Sequence, residues 1–159
     1  MSKISPFLWF NDQAEEAAML YTSLFPNSKI TNVARYAGGS PGEPGKVMTV
    51  EFEIDGQRVT ALNGGDFYTL SPAFSFSIDC EDQAEVDRLW QALSANGGEA
   101  VRCGWLRDRF GVSWQIVPTA LPKYLGGPDR AGAQRAMAAM LGMVKLDIEG
   151  LRRAYEGKP

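Results

Sequence analysis

The chain has 159 residues, 45% of them hydrophobic and 22% charged, enough to bury a substantial core and far from the composition of a disordered segment. A net charge of −3 without a basic cluster argues against a nucleic-acid partner, and no apolar run reaches membrane-spanning length. The absence of histidine excludes Ser-His-Asp and Cys-His catalysis and every histidine-ligated metal site. The N-terminus lacks the apolar core of a signal peptide, so a cytoplasmic protein is expected. Cys80 and Cys103, far apart and in no paired motif, read as buried reduced thiols.

Residues 4–10 alternate, with Ile4, Pro6, Leu8 and Phe10 on one side and Ser5, Phe7 and Trp9 on the other, the pattern of a half-buried strand. Asn11 and Asp12 are good helix caps ahead of 13–25, where Ala14, Ala17, Ala18, Tyr21, Leu24 and Phe25 form a helical stripe that stops at Pro26. A strand over 29–36 and a Gly/Pro-rich loop over 37–45 follow. A hairpin then pairs 46–54 with 57–63 through Asp55-Gly56, a strong turn signal. The order is βαβββ.

The pattern restarts at 71–80, where Phe74, Phe76 and Ile78 alternate with Ser75, Ser77 and Asp79. Asp82 caps a helix over 83–96 whose buried stripe is Val86, Leu89, Trp90 and Leu93, and Gly97-Gly98 ends it. A short strand near 99–102 leads into a hairpin over 103–118, turning at Asp108-Arg109-Phe110-Gly111. Its second strand puts Val112, Trp114 and Ile116 on an apolar face and Ser113, Gln115 and Val117 on a mixed one. This half is again βαβββ. Asp12-Gln13-Ala14-Glu15 recurs verbatim as Asp82-Gln83-Ala84-Glu85, each opening a helix after an alternating strand, which supports a tandem repeat.

The expected fold is therefore α+β, with tandem βαβββ modules over 4–65 and 71–118 inside a domain spanning 1–125. Two such sheets side by side would form one curved surface lined by Ser5, Phe7, Trp9, Thr60, Ser75, Ser77, Ser113 and Gln115. A short helical turn at 121–125 breaks at Gly126-Gly127-Pro128. The extension over 126–159 carries a helix over 129–141, with Ala133, Ala136, Met137, Met140 and Leu141 on one face. A second helix over 146–155 groups Ile148, Leu151 and Tyr155. These stripes pack on the domain or on a second subunit.

Pro6-Phe7-Leu8-Trp9-Phe10, Ala61-Leu62-Asn63-Gly64-Gly65, Cys103-Gly104-Trp105-Leu106 and Gly111-Val112-Ser113-Trp114-Gln115-Ile116-Val117-Pro118 carry a resemblance to the vicinal oxygen chelate superfamily. This superfamily includes glyoxalases, bleomycin-resistance proteins and extradiol dioxygenases. More narrowly, the chain resembles the PhnB-like branch often labelled demethylubiquinone methyltransferase, over residues 4–125. The resemblance implies a glyoxalase-like curved mixed sheet and a homodimer. It also implies metal-ligand slots, which fall on Ser5, Thr60, Ser75 and Gln115. None of these is a histidine or a carboxylate, and neutral oxygens do not hold a hard cation against water. The expectation is a vacant metal site, no cofactor, and a small-molecule ligand anchored by Gln115.

The ligand-binding pocket is expected to involve Trp9, Thr60, Asn63, Ser75, Ser77, Trp105 and Gln115, the two tryptophans walling a planar ring. Gln115 and Asn63 have a competing role, satisfying backbone groups at strand ends. Asp108 and Arg109 read as solvated turn residues, with Arg109 or Arg107 as an alternative clamp for a substrate carboxylate. Asp79 is the nearest general base, with helix capping as its competing use. The loop over 37–45 is either a lid or a mobile connection. Asn63-Gly64-Gly65-Asp66 follows a strand but precedes another strand, so it reads as a linker and gives the methyltransferase label no nucleotide loop. Metal-independent binding, sequestering or sensing, is the leading function. Isomerase, lyase or oxygenase chemistry on a small substrate, or the demethylubiquinone methyl transfer of the family label, is the alternative.

Overall fold

A computed structural model describes residues 2–159. Two compact units divide the chain, the first ending at Leu70 and the second comprising Ser71–Pro159. In the first, β1 (Phe7–Phe10), α1 (Ala14–Leu24), β2 (Lys29–Arg35), β3 (Val47–Ile54) and β4 (Gln57–Asn63) build a mixed sheet of order β1-β4-β3-β2. β1 runs parallel to β4, and the other pairs are antiparallel. Alternation sends Leu8, Phe10, Val50, Phe52, Val59 and Ala61 to the buried face, where α1 packs with Ala14, Ala17, Ala18 and Tyr21. The alanines let the helix lie close, and Tyr21 fills the space beside Phe52, ring centroids 6.2 Å apart. The Asp55-Gly56 turn forms as expected, both residues at positive φ. The first strand is shorter than its alternation suggests: Pro6 has no N–H to extend the ladder, though its carbonyl still accepts from Thr60 N at 3.1 Å. Ile4 is exposed and Ser5 lies outside the strand.

The second unit repeats this connectivity with β5 (Ser75–Cys80), α2 (Gln83–Ser94), β6 (Glu99–Ala100), β7 (Trp105–Arg107) and β8 (Ser113–Pro118) in the order β5-β8-β7-β6. β5 is parallel to β8, as β1 is to β4. Asp82 caps α2 as expected, its Oδ1 accepting from Glu85 N at 2.8 Å. Val86, Leu89 and Leu93 are buried on the side that packs on β7 and β8, among Leu106, Trp114 and Ile116. Cys80 is fully buried, and loss of solvation, reinforced by Glu85, pushes its thiol up to about 12, so it is an inert packing residue. Cys103 is only half-buried, its Sγ 3.5 Å from Met140 O.

The tail, α3 (Leu121–Leu125), α4 (Arg130–Leu141) and α5 (Ile148–Glu156), belongs to the second unit. Tyr124, Ala136 and Leu151 form its core, with Met140, Met143 and Tyr155 packed around them. The expected apolar stripe of α4 is only partly used. Met137 and Leu141 are exposed, and the buried positions are Gly132 and Ala136, because a Cβ at Gly132 would come within 2.7 Å of Tyr155 O.

The connection between α4 and α5 straps back onto the sheet. Cys103 N donates to Met143 O at 2.9 Å and Gly104 N to Val144 O at 2.8 Å. Gln83 Nε2 donates to Leu146 O at 3.0 Å, while its Oε1 accepts from Ile148 N at 2.8 Å. Lys145 sits 2.8 Å from Asp87 and holds that carboxyl below its ordinary value, although so exposed a pair contributes little stability. Leu146 precedes the last helix instead of opening it, and is buried against Gly104. Gly104 takes φ +83°, and a Cβ there would lie 3.0 Å from both Ile116 O and Leu146 Cδ1, so this position needs glycine. The tail therefore packs on its own chain.

The 108–111 turn departs furthest from the sequence reading. Asp108, expected to be solvated, is 2% exposed. Its Oδ1 accepts from Phe110 N at 2.9 Å and Val112 N at 3.0 Å, and its Oδ2 accepts from Trp114 Nε1 at 2.9 Å. Three donors make the buried carboxylate tolerable, and in return it closes the turn and orients the Trp114 indole in the core. Asp108→Asn preserves the shape but sets an amide N–H against one of these donors. Urea unfolding should show a loss of about 2–3 kcal/mol. Combined with Trp114→Phe, the total should fall short of the sum of the two single changes.

Candidate functional site

The face of the second sheet turned away from α2 carries Ser75, Ser77 and Asp79 on β5, Ser113, Gln115 and Val117 on β8, and Trp105 and Arg107 on β7. Register arranges them in rows. Ser77, Gln115 and Trp105 pair directly across three strands, and Ser75, Ser113, Arg107 and Glu99 form the adjacent row. With strands about 4.8 Å apart, the first row spans roughly 10 Å, the width of a small ring with one substituent. Gln115 Nε2 donates to Ser75 Oγ at 3.0 Å, a diagonal contact that holds the amide in one orientation. Its Oε1 and the hydroxyls of Ser75 and Ser77 remain for a ligand. Ser77 is exposed, Ser75, Trp105 and Gln115 are half-buried, and Ser113 is buried. Ser75, Ser77, Trp105 and Gln115, four of the residues expected to contact ligand, are thus brought together within one unit.

Asp79 does not cap the helix, since Asp82 does, and it stands exposed on the same face with no side-chain hydrogen bond or ion pair among the described residues. The two arginines considered as carboxylate clamps are engaged elsewhere. Arg109 lies over the Phe110 ring at 4.5 Å, and Arg107 Nη2 is 2.7 Å from Glu99 Oε2. Glu99 escaped the sequence reading because the register of a two-residue strand has no local signal, although alternation alone sets Arg107 on the face of Trp105.

In the first unit, Trp9 and Thr60 share the sheet face turned away from α1, Thr60 paired with Phe7 and Trp9 with Leu62. The Trp9 ring crosses Gly64, where a Cβ would come within 2.3 Å of Cζ2, and its Nε1 donates to Gly65 O at 2.9 Å. Tyr68 meets it edge-on at 5.0 Å. Asn63 sits on the opposite face, with Val59 and Ala61. Its Oδ1 accepts from Ala14 N at 2.8 Å and its Nδ2 donates to Val47 O at 3.2 Å. Asn63 therefore performs the capping expected of Asn11 and Asp12, and Gln13 occupies the N-cap position without a side-chain bond. Gly64 N donates to Phe10 O and Gly65 N to Asn11 O, so the N–H groups a phosphate loop would need are occupied.

Of the slots that the superfamily resemblance assigns to a metal, Ser75 and Gln115 touch, Thr60 is a strand neighbour of Phe7, and Ser5 precedes β1. With no carboxylate or imidazole among them, these hydroxyl and amide oxygens lack the anionic charge that holds a divalent cation against water. Among the described residues, no group of three or more Cys, Asp or Glu side chains is placed to hold one. A separate cleft of about 620 Å³ opens beside the start of α1, lined in part by Asp12, Glu15, Tyr36, Glu43, Lys46 and Asn63. The 37–45 loop borders it, anchored where Tyr36 Oη donates to Asn63 O at 2.5 Å. Carboxylates in this position complement the helix dipole.

Residues 2–117 match the family described as 3-demethylubiquinone-9 3-methyltransferase. The PhnB protein of Bacillus cereus is 34% identical, over 74% of this chain and 100% of its own, with a TM-score of 0.68. The chain belongs to this family. Measured against the PhnB-like family, α3, α4 and α5 lie beyond the matched residues. A Pseudomonas aeruginosa protein (23% identity, 74% of this chain and 98% of that one, TM-score 0.60) shares the fold. So does the fosfomycin resistance protein FosX of Listeria monocytogenes (15%, 74% and 93%, TM-score 0.50). The PhnB-like membership and the α+β fold of paired βαβββ units expected from the motifs are thereby met. No curated protein matches the chain.

Asn63→Ala should lower stability by about 1–2 kcal/mol in thermal or urea unfolding, through loss of the α1 cap and the Val47 bond. Asn63→Asp, which retains the acceptor for Ala14 N, should recover part of that loss.

Proposed function

We propose that this PhnB-like protein binds a small, partly aromatic molecule without a metal, on the Ser77-Gln115-Trp105 row. The observation that supports this is the Gln115 amide, held by Ser75 between an indole and a free hydroxyl. A flat ring beside Trp105 gains dispersion and area burial, and the oriented amide then selects its polar substituent. Neutral oxygens at the superfamily's metal slots give the same answer from the side of charge. Methyl transfer from a nucleotide cofactor fits poorly, since the Gly64 and Gly65 N–H groups are already spent. The function is sequestering or sensing, carried out by a cytoplasmic homodimer.

Non-denaturing mass spectrometry of freshly purified protein tests this in one spectrum. A dimer carrying an organic adduct and no divalent ion is expected, and Gln115→Ala should weaken adduct retention at least tenfold. Stoichiometric divalent metal, lost together with the adduct on chelation, would contradict the proposal.

Asp79, exposed on the same face and unused by α2, favours one second reading: an isomerase, lyase or oxygenase with Asp79 as its base. Under that reading Asp79→Asn abolishes turnover of the retained molecule and leaves its binding intact. Under the binding reading no turnover exists to lose.

A further inference from the structure

We infer that the Gln115 row selects uncharged ligands and that Glu99 sets this selectivity; the inference rests on the binding reading above. Across the four strands of the second sheet the charged residues are Asp79, Glu99 and Arg107. Arg107 stands in the row next to Gln115, close enough for a guanidinium to reach a ligand's head group. Glu99 neutralises it at 2.7 Å. An anionic head group on the row therefore gives up hydration and finds no free cation. A cationic head group gains little either. Asp79 lies one pleat beyond Ser77, two strands from Trp105, roughly 12 Å from a ring stacked there by strand spacing and rise. A neutral hydroxyl or amide, by contrast, meets both an acceptor, Gln115 Oε1, and the hydroxyl donors of Ser75 and Ser77.

Glu99 is a specificity determinant whose removal is cheap. Both partners of the pair are well exposed, with side chains 54% and 61% accessible, so breaking it costs little stability. A released Arg107 presents the planar fork that matches a carboxylate. Removing one negative charge should then convert a face that rejects anions into one that accepts them.

Ligand-observed NMR at pH 7 with phenol, benzamide, benzoate and benzylamine, against the wild type, Glu99→Gln and Gln115→Ala, tests this, with near-UV circular dichroism confirming that each variant is folded. Phenol and benzamide should bind the wild type at least tenfold more tightly than benzoate or benzylamine. Glu99→Gln should raise benzoate affinity at least fivefold and leave phenol unchanged. Benzoate or benzylamine equalling phenol on the wild type, or a folded Glu99→Gln that gains nothing for benzoate, would overturn the selectivity while the binding reading stood. Binding of every probe untouched by Gln115→Ala, or no binding of any probe, would overturn the binding reading and this inference with it.

Discussion

A single buried carboxylate with three N–H donors determines how the second sheet is built. Asp108 ties the turn to Trp114, and Trp114 directed into the core leaves Gln115 directed out of it, because neighbouring residues on a strand face opposite ways. β8 pairs with β5 on one side and β7 on the other, so its register sets that of the whole candidate row. A slip of one residue would bury Gln115 and expose the indole, at a cost of several kcal/mol in lost burial and unpaired groups. The chemistry of the exposed face is thus fixed by an interaction beneath it. The tail adds to the same edge, with Leu146 against Gly104 and the Met143 and Val144 carbonyls on the strand's approach.

The two modules share connectivity and differ in how each helix is started. The same tetrapeptide opens both, yet Asp82 caps α2 while Asp12 leaves α1 to be capped by Asn63 from the end of β4. Asn63 consequently lies on the helix side of its sheet, whereas the corresponding end of β8 carries no such amide. One module has spent its strand-end amide on structure. The other keeps its mid-strand amide, Gln115, free on one edge, and this asymmetry places the candidate site in the second half of the chain.

Much of the fold was legible because its determinants are local. Alternation in 47–54 and 113–118, the Asp55-Gly56 turn and the Asp82 cap each need only a few neighbouring residues, and each is found where the pattern put it. The grouping of Ser75, Ser77, Trp105 and Gln115 followed from the same periodicity once the strands were paired. The failures are all long-range or depend on burial. An Asp-Arg-Phe-Gly turn looks solvated until the indole six residues from its aspartate comes back to it. The partner of Asn63 is 49 residues away. The exposure of Met137 and Leu141 follows from small residues closing the α4–α5 contact, which a hydrophobic stripe cannot announce. The neutralisation of Arg107 needed the register of β6.

The positions that the superfamily resemblance assigns to a metal hold neutral groups here, and we propose that an oriented amide beside an indole replaces the ion as the ligand-holding element. The most direct measurement is a phenol titration in the presence of EDTA, following the Gln115 side-chain amide and the Trp105 indole N–H by heteronuclear NMR. Both resonances should move together, saturate with one dissociation constant, and be unchanged by added zinc or magnesium. Resonances that move only after a divalent ion is supplied, or shifts confined to the Lys46 and Asn63 cleft, would contradict metal-independent binding at Gln115.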